Sequence, residues 1–203
     1  TIGTKYYYCV VSGTAPCTAA TSNVSGAITV NALPATPTGT ISGTTPACTS
    51  TSLSFSGTAS APEVNYWQTA NLGQSTLVGD AASSLTVSAT GSRYIMTKNT
   101  TTGCWSAGQV GPYAVTINTA PSISAHPSTS TQTICNGGTT IGLSVTAAGT
   151  GISYQWYRSD DNANNTSGDD ITVGTNSNAY TPSNSTIGTK YYYCVVSGTA
   201  PCT

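Results

Sequence analysis

Seven cysteines, six acidic residues and one histidine hold most of the reactive chemistry available to this 203-residue chain. Four of the acids, Asp160, Asp161, Asp169 and Asp170, fall in the stretch RSDDNANNTSGDD. An oxygen-rich loop of that kind can hold calcium, although its spacing departs from the EF-hand loop; the other reading is a solvated turn. His126 stands alone, without a serine, cysteine or second histidine arranged around it, and no spacing joins Glu63 to Asp80 as a pair of working carboxylates. Zinc is the rival use of the cysteines, but no two show the spacing of a CxxC motif and there is no His-x-x-x-His pattern. Catalytic residues, a resident metal and a cofactor are therefore not expected, and the chain does not read as an enzyme. The sequons at Asn23, Asn99, Asn164, Asn165 and Asn184 are what chance supplies in a chain this rich in Asn, Ser and Thr.

Charge is equally scarce. Five Lys and Arg face six Asp and Glu, for a net charge of −1, and charged residues make up 5% of the chain against about a quarter in an average globular domain. Phosphate neutralisation by basic side chains is unavailable, which argues against a nucleic-acid partner, and no polybasic segment suits a membrane surface. No window approaches the eighteen apolar residues that a spanning helix needs. Near-zero net charge removes the mutual repulsion between molecules, which suits a protein that associates with itself. The first residues read as a strand rather than a signal peptide, so an export signal is expected outside this stretch.

Whatever these side chains do, strands must position them. Leu53-Ser-Phe55, Leu85-Thr-Val87, Ile141-Gly-Leu143-Ser-Val145 and Ile28-Thr-Val30 alternate apolar and hydroxyl residues, the period of a half-buried antiparallel strand. Clusters of Gly, Asn, Ser and Pro separate these runs, and no run of ten residues shows helical spacing, so the fold class is all-β, a sandwich or barrel. Two repeats organise the strands. TIGTKYYYCVVSGTAPCT occupies residues 1–18 and, letter for letter, residues 186–203, a repeat at 185 residues. Within it AITVNALP at 27–34 resembles AVTINTAP at 114–121, and Ile28 and Val115 each lie 11 residues beyond a cysteine, Cys17 and Cys104. The unit therefore divides into two related domains of sandwich size, about 100 residues each. One spans 35–121 and the other 122–203, while 1–34 are the last strands of a preceding domain. Pro34, Pro37 and Pro121 mark the junctions.

Both domains carry cysteine, tryptophan, tyrosine and cysteine in that order. The first has PACTS with Cys48, NYWQ with Trp67, SRYIM with Tyr94 and TTGC with Cys104. The second has TICNGG with Cys135, SYQWYR with Trp156, YYYC with Tyr192 and Cys194, and TAPC with Cys202. In this the whole chain resembles the tandem immunoglobulin-like repeats of large secreted bacterial surface and adhesin proteins, notably of the Bacteroidetes type. The resemblance implies two tandem Ig-like β-sandwiches per repeat, with Trp67, Trp156, Tyr94 and Tyr192 in their cores, together with export and display at the cell surface. It also implies a bond from the early cysteine to that of the final hairpin. The first domain holds one candidate pair, Cys48–Cys104; carried to the second, the template pairs Cys135–Cys202. Disulfides place a protein outside the cytosol.

Cys194 is left over, and its strand has two registers. If Tyr192-x-Cys194 follows the family's Tyr-x-Cys strand, then Tyr192, Cys194 and Val196 face inward while Tyr191, Tyr193 and Val195 face outward. If GTKY is aligned with GSRY, Tyr191 matches Tyr94 and the faces swap. An inward thiol is favoured, because an exposed one cross-links at random in an oxidising space. Val64 and Tyr66 also alternate as inward residues, which leaves Tyr66 or Trp67 for the place that Trp156 fills. Tyr191 and Tyr193 are expected at an interface, covered by a neighbouring domain or chain, with one hydroxyl bonded. The second domain shows no counterpart of AVTINTAP within residues 122–203, and its closing strand is expected from the next repeat, by chain continuation or by donation from another copy. These features point to a structural repeat of an extracellular filament or stalk whose partners are neighbouring copies, joined head to tail. The alternative is an adhesin or glycan-binding array with a surface ligand.

Overall fold

The computed structural model describes residues 1–166, 168 and 170–203, and among them all regular structure is β-strand. The all-β expectation holds. In the N-terminal stretch β1 (Gly3–Lys5), β2 (Val10–Val11), β3 (Ala20–Thr21) and β4 (Ile28–Val30) make one long hairpin, with Lys5 opposite Ile28 and Val10 opposite Thr21. Serine hydroxyls bridge its middle: Ser25 Oγ accepts from Tyr7 N and Ser22 Oγ from Cys9 N. Alternation is obeyed here without burial, since both faces of the hairpin are exposed.

Next come β5 (Ile41–Ser42), β6 (Ala47–Cys48), β7 (Thr51–Phe55), β8 (Glu63–Gln68), β9 (Leu85–Val87), β10 (Gly91–Asn99), β11 (Val110–Val115) and β12 (Ile117–Asn118). β8, β10 and β11 form a three-stranded sheet with β10 in the middle. Trp67 on β8 is buried opposite Ile95 on β10, and its indole N–H donates to Ser83 O at 3.2 Å. Beside them Thr97 Oγ1 donates to Asn65 Oδ1 at 2.8 Å, which satisfies two buried polar side chains at once. At the open end of the β5–β7 pair, Gly39 has φ +143° and a Cβ there would stand 2.6 Å from Gly57 N, so only glycine lets the backbones meet.

The remaining strands are β13 (Ser122–Ala125), β14 (Leu143–Ser144), β15 (Thr146–Ala148), β16 (Ser153–Ser159), β17 (Ile171–Val173), β18 (Ala179–Tyr180) and β19 (Tyr191–Ser197). β16 runs between β17 and β19, paired with β19 along its whole length from Ser153 opposite Ser197 to Ser159 opposite Tyr191. Leu143, Val145 and Trp156 are buried at the centre, with Tyr154, Val173, Tyr180, Tyr192, Cys194 and Val196 packed around them. Trp156 stacks on Tyr180 and donates its indole N–H to Ser177 O at 2.9 Å. The expected run Ile141–Val145 is shorter than its alternation suggests: Leu143 and Val145 are buried, but Ile141 is exposed and precedes the strand.

Packing does not follow the linear boundaries at 34 and 121. Two compact units form, one from residues 1–42, 53–85 and 92–113, the other from 43–52, 86–91 and 114–203. In the second unit β12 runs parallel to β6, with Ile117 beside Ala47, which brings the early segment 43–52 into contact with the later half of the sequence. Trp156→Ala removes the largest buried group of that unit. Unfolding in denaturant should show a loss of about 3–5 kcal/mol, against at most about 0.5 kcal/mol for a substitution at an exposed position such as Ile187→Ala.

Candidate functional site

β19 carries the sequence that the chain presents twice, and its faces are set by its pairing with β16. Cys194 lies opposite Trp156, so Tyr192, Cys194 and Val196 share the tryptophan's side and join the core. The register with an inward thiol is the one observed. Burial pushes the Cys194 thiol above its ordinary pKa, and the backbone of Gln155 opposes that shift. Tyr192 is likewise raised, by burial first and by the neighbouring Tyr180 second.

The outward face is aromatic. Tyr193 stacks on Tyr157 at 5.2 Å between centroids, nearly parallel. Its hydroxyl donates to Asp170 Oδ2 at 2.7 Å and accepts from Thr166 N at 2.9 Å, with Thr166 at the left-handed φ of 54°. Desolvation and the Asp170 carboxylate, in that order, hold the Tyr193 phenol above the usual range. Tyr191, beside it, is 39% exposed, and it lines a shallow hollow with Asn162, Ala163 and Asn164. The expected interface pair is thus divided: Tyr193 is covered by its own unit, and Tyr191 is open. Tyr157 was missed in the sequence, although its place directly after Trp156 puts it on the outward face by alternation.

The three described acidic residues of the same loop are each engaged separately. Asp160 pairs with Lys190 Nζ at 2.6 Å and lies 4.0 Å from Arg158 Nε. Asp161 accepts from Ser159 Oγ and from Ala163 N, which lower its pKa. Asp170 serves Tyr193, and Asp169 lies outside the described residues. Among the described residues no three of His, Cys, Asp and Glu converge as a metal cluster. Glu63 and Asp80 line one hollow with Phe55 and Asn65, and Asp80 Oδ1 accepts from Ala82 N at 2.8 Å. His126 is exposed.

Two expectations about named residues are corrected. The structure has one disulfide, Cys48–Cys202, with Cα atoms 5.1 Å apart, in place of Cys48–Cys104 and Cys135–Cys202. Its cause is the parallel pairing of β6 with β12: Thr49 N donates to Asn118 O, and Asn118 Nδ2 donates to Ala200 O at 2.9 Å, so one asparagine draws the Thr199–Cys202 turn to Cys48. No sequence motif singles out Asn118. Cys104 sits instead in the tight turn after β10, bonded through its carbonyl to Asn99 N, and Cys135 is an exposed turn thiol. Tyr94 is the second correction, for it is half-buried opposite Gln68, and the core place facing Trp67 belongs to Ile95. Trp67, rather than Tyr66, fills that core; Tyr66 meets Trp105 edge-on at 5.7 Å, and Lys98 lies over the Trp105 ring.

Residues 124–203 match the family model of a domain of unknown function (DUF8696). No curated protein matches the chain. Among the described residues no helix is long and apolar enough to cross a membrane.

Three measurements follow from the cysteines. Non-reducing peptide mapping should recover Cys48 joined to Cys202, with Cys104 and Cys135 free to alkylate, and Cys202→Ser should lower stability by about 2–5 kcal/mol; a Cys48–Cys104 peptide would overturn the pairing. Cys9 and Cys194 share one local sequence but differ in burial. Timed alkylation of the monomer near pH 8 should label Cys9 several-fold faster than Cys194, and equal rates would contradict the inward thiol.

Proposed function

We propose that this chain is a structural repeat of an extracellular filament or cell-surface stalk, built from tandem Ig-like sandwiches that meet head to tail. The observation that carries this reading is the letter-perfect duplication of residues 1–18 at 186–203, because a repeat that recurs without change makes the same contact with each neighbour. Like elements support two related domains per period. Trp67 on β8 and Trp156 on β16 each face a central residue of the adjacent long strand, Ile95 and Cys194. The matched span 124–203 falls within the second of these domains. Near-zero net charge favours association, and the Cys48–Cys202 bond suits an oxidising compartment outside the cytosol. In this reading the protein is not an enzyme, binds no nucleic acid and does not insert into a membrane.

A second reading, an adhesive array for a glycan or other surface ligand, draws on one observation: the open Tyr191 beside Asn162 and Asn164, an aromatic ring next to amides. Electron microscopy of the native material separates the two. A filament should show a helical repeat with an axial rise per two-domain unit of at most about 80 Å, from strands of about 3.3 Å per residue. Single tethers without lateral or axial order, whose binding to cells is lost with Tyr191→Ala, would favour the adhesin.

A further inference from the structure

Nearly all of the buried apolar side chains lie inside one covalent loop. The Cys48–Cys202 bond spans 154 residues of sequence, and among the described residues every buried apolar side chain falls between its cysteines except Ala47 and Cys202 itself. The bond joins points that the backbone already holds together: Cys48 on β6 lies opposite Asn118 on the parallel β12, and Asn118 Nδ2 donates to Ala200 O at 2.9 Å. Residues 18–47, on the other side of Cys48, contain no charge and no aromatic ring, and they carry Pro34, Pro37 and Pro46. The sequence thus separates into a looped stretch that holds the tryptophan cores and a connecting stretch without a ring to build a core around.

We propose that the Cys48–Cys202 bond is a load bypass: when the chain is pulled from both sides, tension crosses at the disulfide and residues 49–201 carry none of it. Tension follows the covalent path that becomes taut first. Across the bond the Cα atoms are 5.1 Å apart, whereas the loop between them straightens only at about 520 Å, at about 3.4 Å per residue. The bond is therefore taut while the loop is slack. The cores around Trp67 and Trp156 keep the unfolding rates they have at rest, since pulling hastens the opening only of segments that bear the force.

The proposal rests on the stalk reading for the pull itself and adds how such a stalk bears it. In the 185-residue repeat Cys17 holds the place of Cys202. From Cys17 to Cys48 is 31 residues and from Cys48 to Cys202 is 154, which together make one period. In an array of these periods the taut path alternates bond and connector, and the 31-residue connectors alone bear load. A connector of that length straightens to about 105 Å, against a rise at rest of at most about 80 Å, so a pulled array lengthens a little and stops. Without the bond the same period reaches about 630 Å as its cores open one after another.

The test holds the full chain by its two termini in an optical trap and pulls it to full extension. It does so first with the oxidised protein and then in dithiothreitol, whose two thiols close into a cyclic disulfide as Cys48 and Cys202 become thiols. The oxidised chain should stop about 520 Å short of the reduced one, and the steps of core unfolding should appear only after reduction. Cys104→Ser and Cys135→Ser should leave the shortfall unchanged, and Cys202→Ser should abolish it. The readout is a covalent length, so it serves even for a variant that fails to fold. An oxidised chain that reaches its full length, or one that stops about 190 Å short as a Cys48–Cys104 loop dictates, overturns the bypass and leaves the stalk reading standing. That reading fails separately, in micrographs of native material without axial order, which leave the shortfall in the trap untouched.

Discussion

The backbone groups of a strand point along both of its edges, and its alternate side chains point to both of its faces, so a strand as apolar as TKYYYCVV is satisfied only when two edges and one face are covered. The second unit meets two of these demands for β19, one edge and the face. β16 supplies one edge over the full length of the strand, and the cluster of Leu143, Val145 and Trp156 supplies the face. Tyr180 stacks on Trp156 and tilts against Tyr192, which carries the aromatic packing from β16 across to β19. On the reverse side Tyr157 and Tyr193 stack, and the loop through Thr166 and Asp170 holds the Tyr193 hydroxyl.

Low charge makes these arrangements depend on hydrogen bonds between neutral groups. Hydroxyls stand in for ladder bonds at Ser22 and Ser25 in the N-terminal hairpin and at Ser56, whose Oγ accepts from Thr40 N, while Ser42 and Ser54 bond side chain to side chain across their strands. Each such bond contributes about 1 kcal/mol net, modest alone, and none of them weakens with added salt as a surface ion pair does. The exception is the cluster of Arg158, Asp160 and Lys190, which gathers three of the few charges in the chain at the end of β16 where β19 begins. Its exposure leaves it a small stabilising role.

Much of this was legible in the residues. Alternation in TSLSF gives β7 with Leu53 buried, and the tryptophan of SYQWYR marks the core strand of the second unit together with the inward side of its partner. Alternation failed at β10, where Ile95, Met96 and Thr97 are all buried in succession; with both faces covered the period of two vanishes, and Tyr94 could be mistaken for the core residue in place of Ile95. The disulfide was illegible for a different reason. Its cysteines are 154 residues apart and meet because β12 pairs in parallel with β6, a long-range contact that no local pattern encodes. Assigning Cys48 by elimination assumed that each domain closes on itself, and the packing of 43–52 with 114–203 removes that assumption.

Identical sequences also stand in different environments within this chain. Residues 1–18 and 186–203 have equal propensities, and both copies form the same turn at Thr14–Cys17 and Thr199–Cys202. Beyond that turn they diverge: the tyrosines and valines of one copy stay in water, and those of the other rest on Trp156. Local sequence therefore fixes the extended conformation and the turn, while burial is decided by which strands lie near. A segment whose conformation is set in advance and whose burial is left to its surroundings loses little further backbone entropy when it docks. In the array proposed above, repetition of that segment without change would offer every neighbour the same preformed strand.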